Sequence, residues 1–207
     1  MKYIILLLSI FYVNILIGQK EHKSSIEMSF GWAKHGTGDI SGVLYGFQYH
    51  QSFGKNIYWV AGLEGTLHHD PNGDMLFFEY EGVTFDSTIR FVTSGIQLVG
   101  GIKYNFAEGN KHTFGIYLLP FLRYQVTSIN NNILTEYPAS TGLPFPVRVI
   151  WNNEPSKTIS PGGAVRLNYK YQFNKGFYFG TIAGIQTDTN GDTMVEAGLT
   201  FGKSFSW

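Results

Sequence analysis

The chain has no cysteine among its 207 residues. Disulfides and thiolate metal sites are therefore excluded, and so is a lipoprotein anchor, which needs a cysteine thiol. Charged residues make up only 14% of the chain and the formal net charge is zero, so no basic field suggests a nucleic acid partner. After residue 18 no stretch approaches the roughly 20 apolar residues of a membrane helix. What remains has the length of one domain and is rich in aromatic residues and glycine.

The N-terminus has the three parts of a secretory signal peptide. Lys2 gives a positive start, residues 3–17 form an apolar run, and Gly18 is a small residue at a plausible cleavage point. We therefore predict a signal peptide at 1–18 and a mature domain at 19–207. The alternative is an N-terminal membrane anchor.

The C-terminal segment, residues 193–207, shows the clearest pattern in the chain. Every second side chain is apolar, Lys203 being the one break, and the residues between are polar or small. Such alternation predicts a strand with one apolar and one polar face. Seven earlier segments alternate in the same way. The predicted strands are 25–34, 41–52, 56–68, 91–106, 112–126, 160–173, 176–188 and 193–207.

The connections between these strands alternate in length. Short turns alternate with connections that include two long ones, 69–90 and 127–159, as in outer-membrane barrels with short periplasmic turns and long extracellular loops. An even strand number places both termini in the periplasm. Pro120 lacks a ladder donor, so we expect a bulge there. A soluble, lipocalin-like barrel is the alternative architecture.

The position of the charged residues decides which face of the barrel points outward. An arginine or lysine facing lipid at the bilayer midplane costs about 2–4 kcal/mol, whereas inside the barrel opposite charges can pair. The interior of an eight-stranded barrel is just wide enough for side chains to fill. We therefore predict a structural polar network and no open pore. Its charged members are Glu27, Glu64, Lys103, Arg123, Arg166, Lys170 and Glu196, and its amides are Gln48, Gln97, Gln125 and Gln172.

Taken together, these features resemble the small OmpA/OmpX-type outer-membrane barrels and, more loosely, the outer membrane protein beta-barrel domain family. The resemblance implies an all-β, eight-stranded antiparallel transmembrane up-and-down barrel in the bacterial outer membrane. It also implies contact with outer-membrane lipid and lipopolysaccharide. Phe201, Phe205 and Trp207 resemble the C-terminal signal that the barrel-assembly machinery recognises. Trp207 departs from the Phe that more often ends this family.

Catalytic motifs are weak in this sequence. His68 and His69 lie at the predicted outer end of the third strand, close to Asp70. They motivate the alternative of a lipid A-modifying deacylase or acyltransferase, or of metal binding, but no serine is placed beside them by spacing. A solvated strand end is the simpler interpretation. We predict no catalytic residue, no cofactor and no metal site.

Two short strings, at 70–74 and 188–192, carry oxygen-bearing side chains at alternate positions. Such spacing is seen in calcium loops, but the glycine and the later glutamate of the full pattern are missing. Their Asn-Gly pairs favour tight turns, and calcium binding remains the alternative.

The long loops are unusually apolar, which predicts either strands extended above the membrane or an exposed patch that marks a partner site. We predict a non-enzymatic protein with a structural or surface-interaction role through loops 69–90 and 127–159. A small-solute transporter or pore is the remaining alternative.

Overall fold

A computed structural model describes residues 23–36 and 40–206. The predicted signal peptide and Trp207 lie outside the described residues. Within them, no helix is long and apolar enough to cross a membrane. The barrel strands are β1 (Lys23–His35), β2 (Ser41–Gly54), β3 (Ile57–Asp74), β6 (Ile89–Glu108), β7 (His112–Glu136), β8 (Val147–Gln172), β9 (Phe177–Asp188) and β10 (Thr193–Ser206). A separate hairpin between β3 and β6 consists of β4 (Phe77–Tyr80) and β5 (Val83–Asp86).

The eight long strands form a closed barrel, which confirms the predicted fold class. Each strand pairs antiparallel with its neighbours along the chain, and β1 closes the barrel against β10. The first and last described residues lie together, because Lys23 pairs with Ser206. We call the end that carries these residues and the turns β2–β3, β6–β7 and β8–β9 the turn end. The opposite end, which carries the long connections, is the loop end.

Side chains along each strand alternate between the two faces of the barrel wall. Leu167 is 56% exposed on the outer face, while its neighbour Arg166 is 2% exposed and points into the interior. The same alternation continues through β10, where Leu199 and Phe201 are exposed and Thr200 is buried. The barrel is therefore apolar outside and largely polar inside.

The long connection 127–159 follows the first of its two predicted alternatives, in which the strands extend beyond the membrane-spanning part. Strands β7 and β8 continue through most of it as a paired extension that reaches the Glu136–Val147 pair. Its register shifts between Thr127 and Ile133, and a one-turn helix α1 (Pro138–Thr141) lies at the tip. Apolar and β-branched residues such as Ile133, Val149 and Ile150 favour extended backbone here.

The bulge predicted at Pro120 is wrong. Pro120 pairs in register with Gly163, and the β6–β7 register is the same on either side of the proline, at Val99–Phe121 and Ile102–Leu118. Within the described residues, the β6–β7 ladder instead leaves Gly100 and Gly101 without a paired residue on β7. The missing N–H of Pro120 is thus accommodated by a gap in the β6–β7 ladder and not by the extra residue of a β-bulge.

Candidate functional site in the barrel interior and on the loops

The middle of the interior is organised by Arg166. Its guanidinium forms ion pairs with both Glu64 and Glu196, and all three side chains are at most 2% exposed. The second Arg166 amino group donates to Glu64 Oε2 at 2.8 Å and to Glu196 Oε2 at 3.3 Å. The planar guanidinium suits such two-sided recognition of carboxylates. One arginine therefore binds two glutamates whose strands, β3 and β10, are far apart in the sequence.

Amide side chains extend this cluster across the barrel. Gln48 Nε2 donates to Glu64 Oε1 at 2.6 Å, and Gln97 Nε2 donates to Glu64 Oε2 at 2.7 Å. The carbonyl oxygen of Gln97 accepts from Arg123 Nε at 2.9 Å. These bonds satisfy the remaining lone pairs of the carboxylate, as a buried ion pair requires.

Toward the loop end, Arg123 pairs with Asp188, with 3.3 Å between Nη1 and Oδ2. The Ser160 hydroxyl donates to the same carboxylate oxygen at 3.0 Å. The other oxygen, Asp188 Oδ1, accepts from the backbone of Asn190 at 2.9 Å and of Asp192 at 3.3 Å. Both oxygens of Asp188 are thus engaged in a turn and an ion pair, which is the turn chemistry favoured for this string.

The first string of this kind lies within β3, where the β3–β6 register shifts between Asp70 and Asp74, so it forms an irregularity in the strand rather than the expected tight turn. Asp70 Oδ1 accepts from the backbone N–H of Gly73 at 2.9 Å, and Gly73 has a positive φ of 53°. Within residues 23–36 and 40–206, no group of three or more candidate ligands is arranged to hold a metal ion.

His68 and His69 point in opposite directions, because successive strand residues alternate faces. His69 is exposed, whereas His68 is fully buried in the interior. The buried ring of His68 packs edge-on against His35, with 4.5 Å between ring centroids. His35 Nδ1 lies 3.9 Å from Asp192 Oδ1. The two histidines predicted as a rim pair are therefore separated, and His35 replaces His69 as the neighbour of His68.

The turn end of the interior holds Lys170, Glu27 and Lys103. Lys170 forms an ion pair with Glu27. The Tyr117 hydroxyl donates to Glu27 Oε1 at 3.3 Å. The Lys103 ammonium lies 5.2 Å from the centroid of the Tyr117 ring, within reach of a cation–π attraction.

The interior also contains an apolar cluster that the sequence analysis missed. It comprises Val60, Val99, Tyr117, Leu119, Phe121 and Ala164, all at most 6% exposed. Arg123 lies over the Phe121 ring, 5.0 Å from its centroid. These residues lie at inward positions of their strands, an even number of residues from the inward-facing polar side chains. That spacing was the feature of the sequence from which the cluster could have been predicted. The interior is thus a mixed polar and apolar packing rather than a purely polar one.

All seven charged side chains predicted to point inward are found buried in the interior. The structure brings Glu64, Arg166 and Glu196 together, and it pairs Glu27 with Lys170. Arg123 pairs with Asp188, which is the last residue of the predicted strand 176–188 and the first of the string 188–192, and which was not among the predicted interior charges. Of the predicted amides, Gln48 and Gln97 are buried, Gln125 is half-buried with Nε2 donating to Asp192 at 3.1 Å, and Gln172 is exposed near the turn end.

At the loop end, the β4–β5 hairpin packs through one aromatic face. Phe78 stacks on Phe85 at 5.4 Å and on Phe145 at 6.0 Å between ring centroids. Tyr80 meets Phe145 edge-on at 5.5 Å. Because Phe145 belongs to the β7–β8 connection, these rings join the two long loops. The opposite face leaves Phe77 exposed.

The base of this hairpin is closed by polar contacts. Asp86 Oδ1 accepts from the Thr88 backbone at 2.9 Å, and Arg90 Nη2 lies 3.2 Å from Asp86 Oδ2. Hydrogen bonding by the Thr88 side chain and backbone lowers the pKa of Asp86, with a smaller contribution from Arg90. The carboxylate form is therefore favoured at this connection.

Comparisons with known proteins find a shared fold and nothing closer. No family model matches the chain, and no curated protein matches it. Among solved structures, the chain is similar to Ail, the attachment invasion locus protein of Yersinia pestis, crystallised with the heparin analogue sucrose octasulfate. The TM-score is 0.54 at 10% identity, over 90% of this chain and 100% of Ail.

A second similar structure is Neisserial surface protein A. Its TM-score is also 0.54, at 9% identity, over 91% of this chain and 99% of that protein. The identities are low, so these likenesses establish the fold alone, a small eight-stranded antiparallel barrel.

Proposed function

We propose that this protein is a non-enzymatic integral barrel of the bacterial outer membrane whose long loops contact a partner outside the cell. The observation that carries this proposal is the reversal of polarity across the barrel wall. Apolar side chains such as Leu98, Leu167 and Leu199 are about half exposed on the outer face, while the charges lie inside. In water this outer surface would be a large apolar patch, whereas the hydrocarbon of a bilayer matches it.

The interior supports a structural role rather than transport. A continuous chain of hydrogen bonds and ion pairs runs from Gln48 through Glu64 and Gln97 to Arg123 and Asp188. In a barrel this narrow, such a chain fills the space that a water path would need. We infer that the lumen is plugged.

The loops supply the surface for interaction. Exposed aromatic and aliphatic residues at the loop end include Met75, Phe77, Tyr137 and Trp151, and large amphipathic rings are frequent in binding surfaces. Segments 69–90 and 127–159 contain seven acidic and three basic residues, a formal net charge of −4. This charge disfavours a sulfated saccharide such as the heparin analogue crystallised with Ail. We infer a protein partner with apolar surface and a basic rim.

Biogenesis and lipid contacts follow from the same proposal. Phe201 and Phe205 are exposed at the outer face of β10, accessible to the barrel-assembly machinery, and Trp207 belongs to the same predicted signal. Outer-membrane lipid covers the apolar belt, with lipopolysaccharide around its loop-end half. Both termini then lie in the periplasm together with the short turns.

The absence of cysteine makes a direct test of orientation available. Single cysteines are introduced at Thr84 in β5 and at Lys55 in the β2–β3 turn, both exposed. In intact cells a membrane-impermeant maleimide labels Thr84→Cys, and it labels Lys55→Cys only after the outer membrane is permeabilised. The reverse pattern contradicts the proposed orientation, and equal labelling of both in intact cells contradicts the location.

Partner chemistry and the enzyme alternative have separate tests. We expect the folded protein to pass through immobilised heparin at low salt, and salt-sensitive retention would overturn the inferred partner class.

Replacing both His68 and His69 with alanine should leave the host lipid A unchanged by mass spectrometry. A lost or gained acyl chain that depends on these histidines would contradict the non-enzymatic proposal.

A further inference from the structure

Among the described residues, one buried cation in the interior, Lys103, forms no ion pair with a carboxylate. Arg166 is shared by two acids, Arg123 pairs with Asp188 and Lys170 pairs with Glu27. Lys103 is only 3% exposed. Among the residues that the structure describes, no carboxylate forms an ion pair with its ammonium. A buried charge without a counter-charge is unfavourable, so the surroundings of Lys103 are where a mobile anion would be stabilised.

A cavity of about 410 Å³ lies beside Lys103 at the turn end of the barrel. Lys103 and Lys170 line its inner part, and Lys23 and Lys175 lie among the residues lining it nearer the end of the barrel. Its one acidic lining residue, Glu108, pairs with Lys23 at 3.7 Å. The volume falls in the range of small-molecule sites. The cavity is therefore large enough for an organic ligand and positively charged.

Most of the other lining groups are polar and uncharged. Ser25, Thr113 and Tyr178 contribute hydroxyls, and Asn105 contributes an amide. The Asn105 carbonyl oxygen is buried and accepts no hydrogen bond from the described residues. A ligand that also carries hydroxyl groups would satisfy this oxygen while its anionic group meets Lys103.

The charges around the site select the ligand class. In the buried inner part of the cavity, Lys103, Lys170 and Glu27 together carry one net positive charge, which a single carboxylate balances and a dianionic phosphate exceeds. Nearer the end of the barrel, Lys23 is paired with Glu108 and Lys175 is exposed to solvent. We propose that this cavity binds a small hydroxylated monocarboxylate, a sugar acid or hydroxy acid, with Lys103 contacting the carboxylate. Access from the periplasm depends on the orientation proposed above, but binding by the purified protein does not.

The test compares gluconate with glucose, which share a hydroxylated chain and differ in the carboxylate. Isothermal titration calorimetry uses the full barrel folded in zwitterionic detergent. We expect saturable binding of gluconate and none of glucose. Lys103→Met should weaken gluconate binding by at least about tenfold. Lys203→Met is the matched control, because Lys203 lies near the same end of the barrel but contacts Phe177 and Phe205 instead of lining the cavity.

A second variant keeps the proposal falsifiable if Lys103→Met folds poorly. Asn105→Asp is nearly isosteric and places a carboxylate two residues from Lys103 on the same face of β6. It should abolish gluconate binding and raise the thermal unfolding midpoint, because it supplies the missing counter-charge within the chain.

Three results would overturn the proposal. They are no saturable heat with gluconate, equal binding in Lys103→Met, or unchanged binding in Asn105→Asp. Inorganic phosphate that binds more tightly than gluconate would overturn the monocarboxylate assignment. None of these results bears on the orientation test by maleimide labelling.

Discussion

The inner and outer faces of the barrel wall are built from the same strands but are stabilised in different ways. On the outer face, which we propose lies in a bilayer, Leu167 and its neighbours need only be apolar, because fluid lipid adapts to their shape. On the inner face, Arg166 is stable only while Glu64 and Glu196 remain opposite it. The outer face therefore depends on composition, and the inner face depends on specific partners. Substitutions on the two faces should fail for different reasons.

The largest effect is expected where one residue serves two partners. Arg166→Met leaves Glu64 and Glu196 buried without their cation, and removing one partner of a buried pair costs about 3–5 kcal/mol. The measurement is the free energy of unfolding by urea in lipid vesicles. Adding Glu64→Gln and Glu196→Gln to Arg166→Met should recover most of the loss. Wild-type stability of Arg166→Met alone would show that the pairing does not stabilise the barrel.

A somewhat smaller effect is expected from a charge on the outer face. Leu167→Arg places a guanidinium against hydrocarbon at a cost of about 2–4 kcal/mol, depending on its depth. Leu167→Ala is the matched control, since it removes apolar area without adding charge. The yield and urea stability of barrels folded into vesicles should fall far more for arginine than for alanine. Equal losses in the two variants would mean that this face does not meet lipid.

The faces of the barrel are predictable from sequence, but the pairs inside it are not. A period of two residues fixes which side chains point inward, as it does for Glu64 and Arg166. Which inward residues meet across the lumen depends on strand tilt and stagger, and these two are 102 positions apart in the chain. Asp188 is an example, because its local sequence motif predicts a turn but does not predict its ion pair with Arg123 across the lumen. For the same geometric reason, Lys103 has no carboxylate partner among the described residues.

The loops show a similar limit. Their apolar alternation indicates extended strands, and the β4–β5 hairpin and the β7–β8 extension bear this out. That Phe145 stacks on Phe78 follows from how two distant connections meet, which no local pattern encodes.

The smallest effect is expected at this loop contact. Phe145→Ala removes ring contacts worth about 0.5–1.5 kcal/mol beyond burial, and the barrel itself should be unaffected. Hydrogen exchange should become faster in the amides of β4 and β5 while urea unfolding stays unchanged. Phe77→Ala, on the exposed face of β4, is the control and should leave exchange as it was. Faster exchange with both variants would show that Phe145 has no specific role.

Conductance tests the proposed plugging of the lumen most directly. The purified protein is inserted into planar bilayers, and current is recorded under an applied voltage. Because Arg166, its two acids and the flanking amides interlock across the interior, we expect no stable large conductance from the unmodified barrel. Glu64→Ala removes one of the two acids that bind Arg166 and should at most permit brief, small openings. Steady currents of the size seen in porins, whose aqueous channels take about 16–18 strands, would contradict the account and favour a transporter.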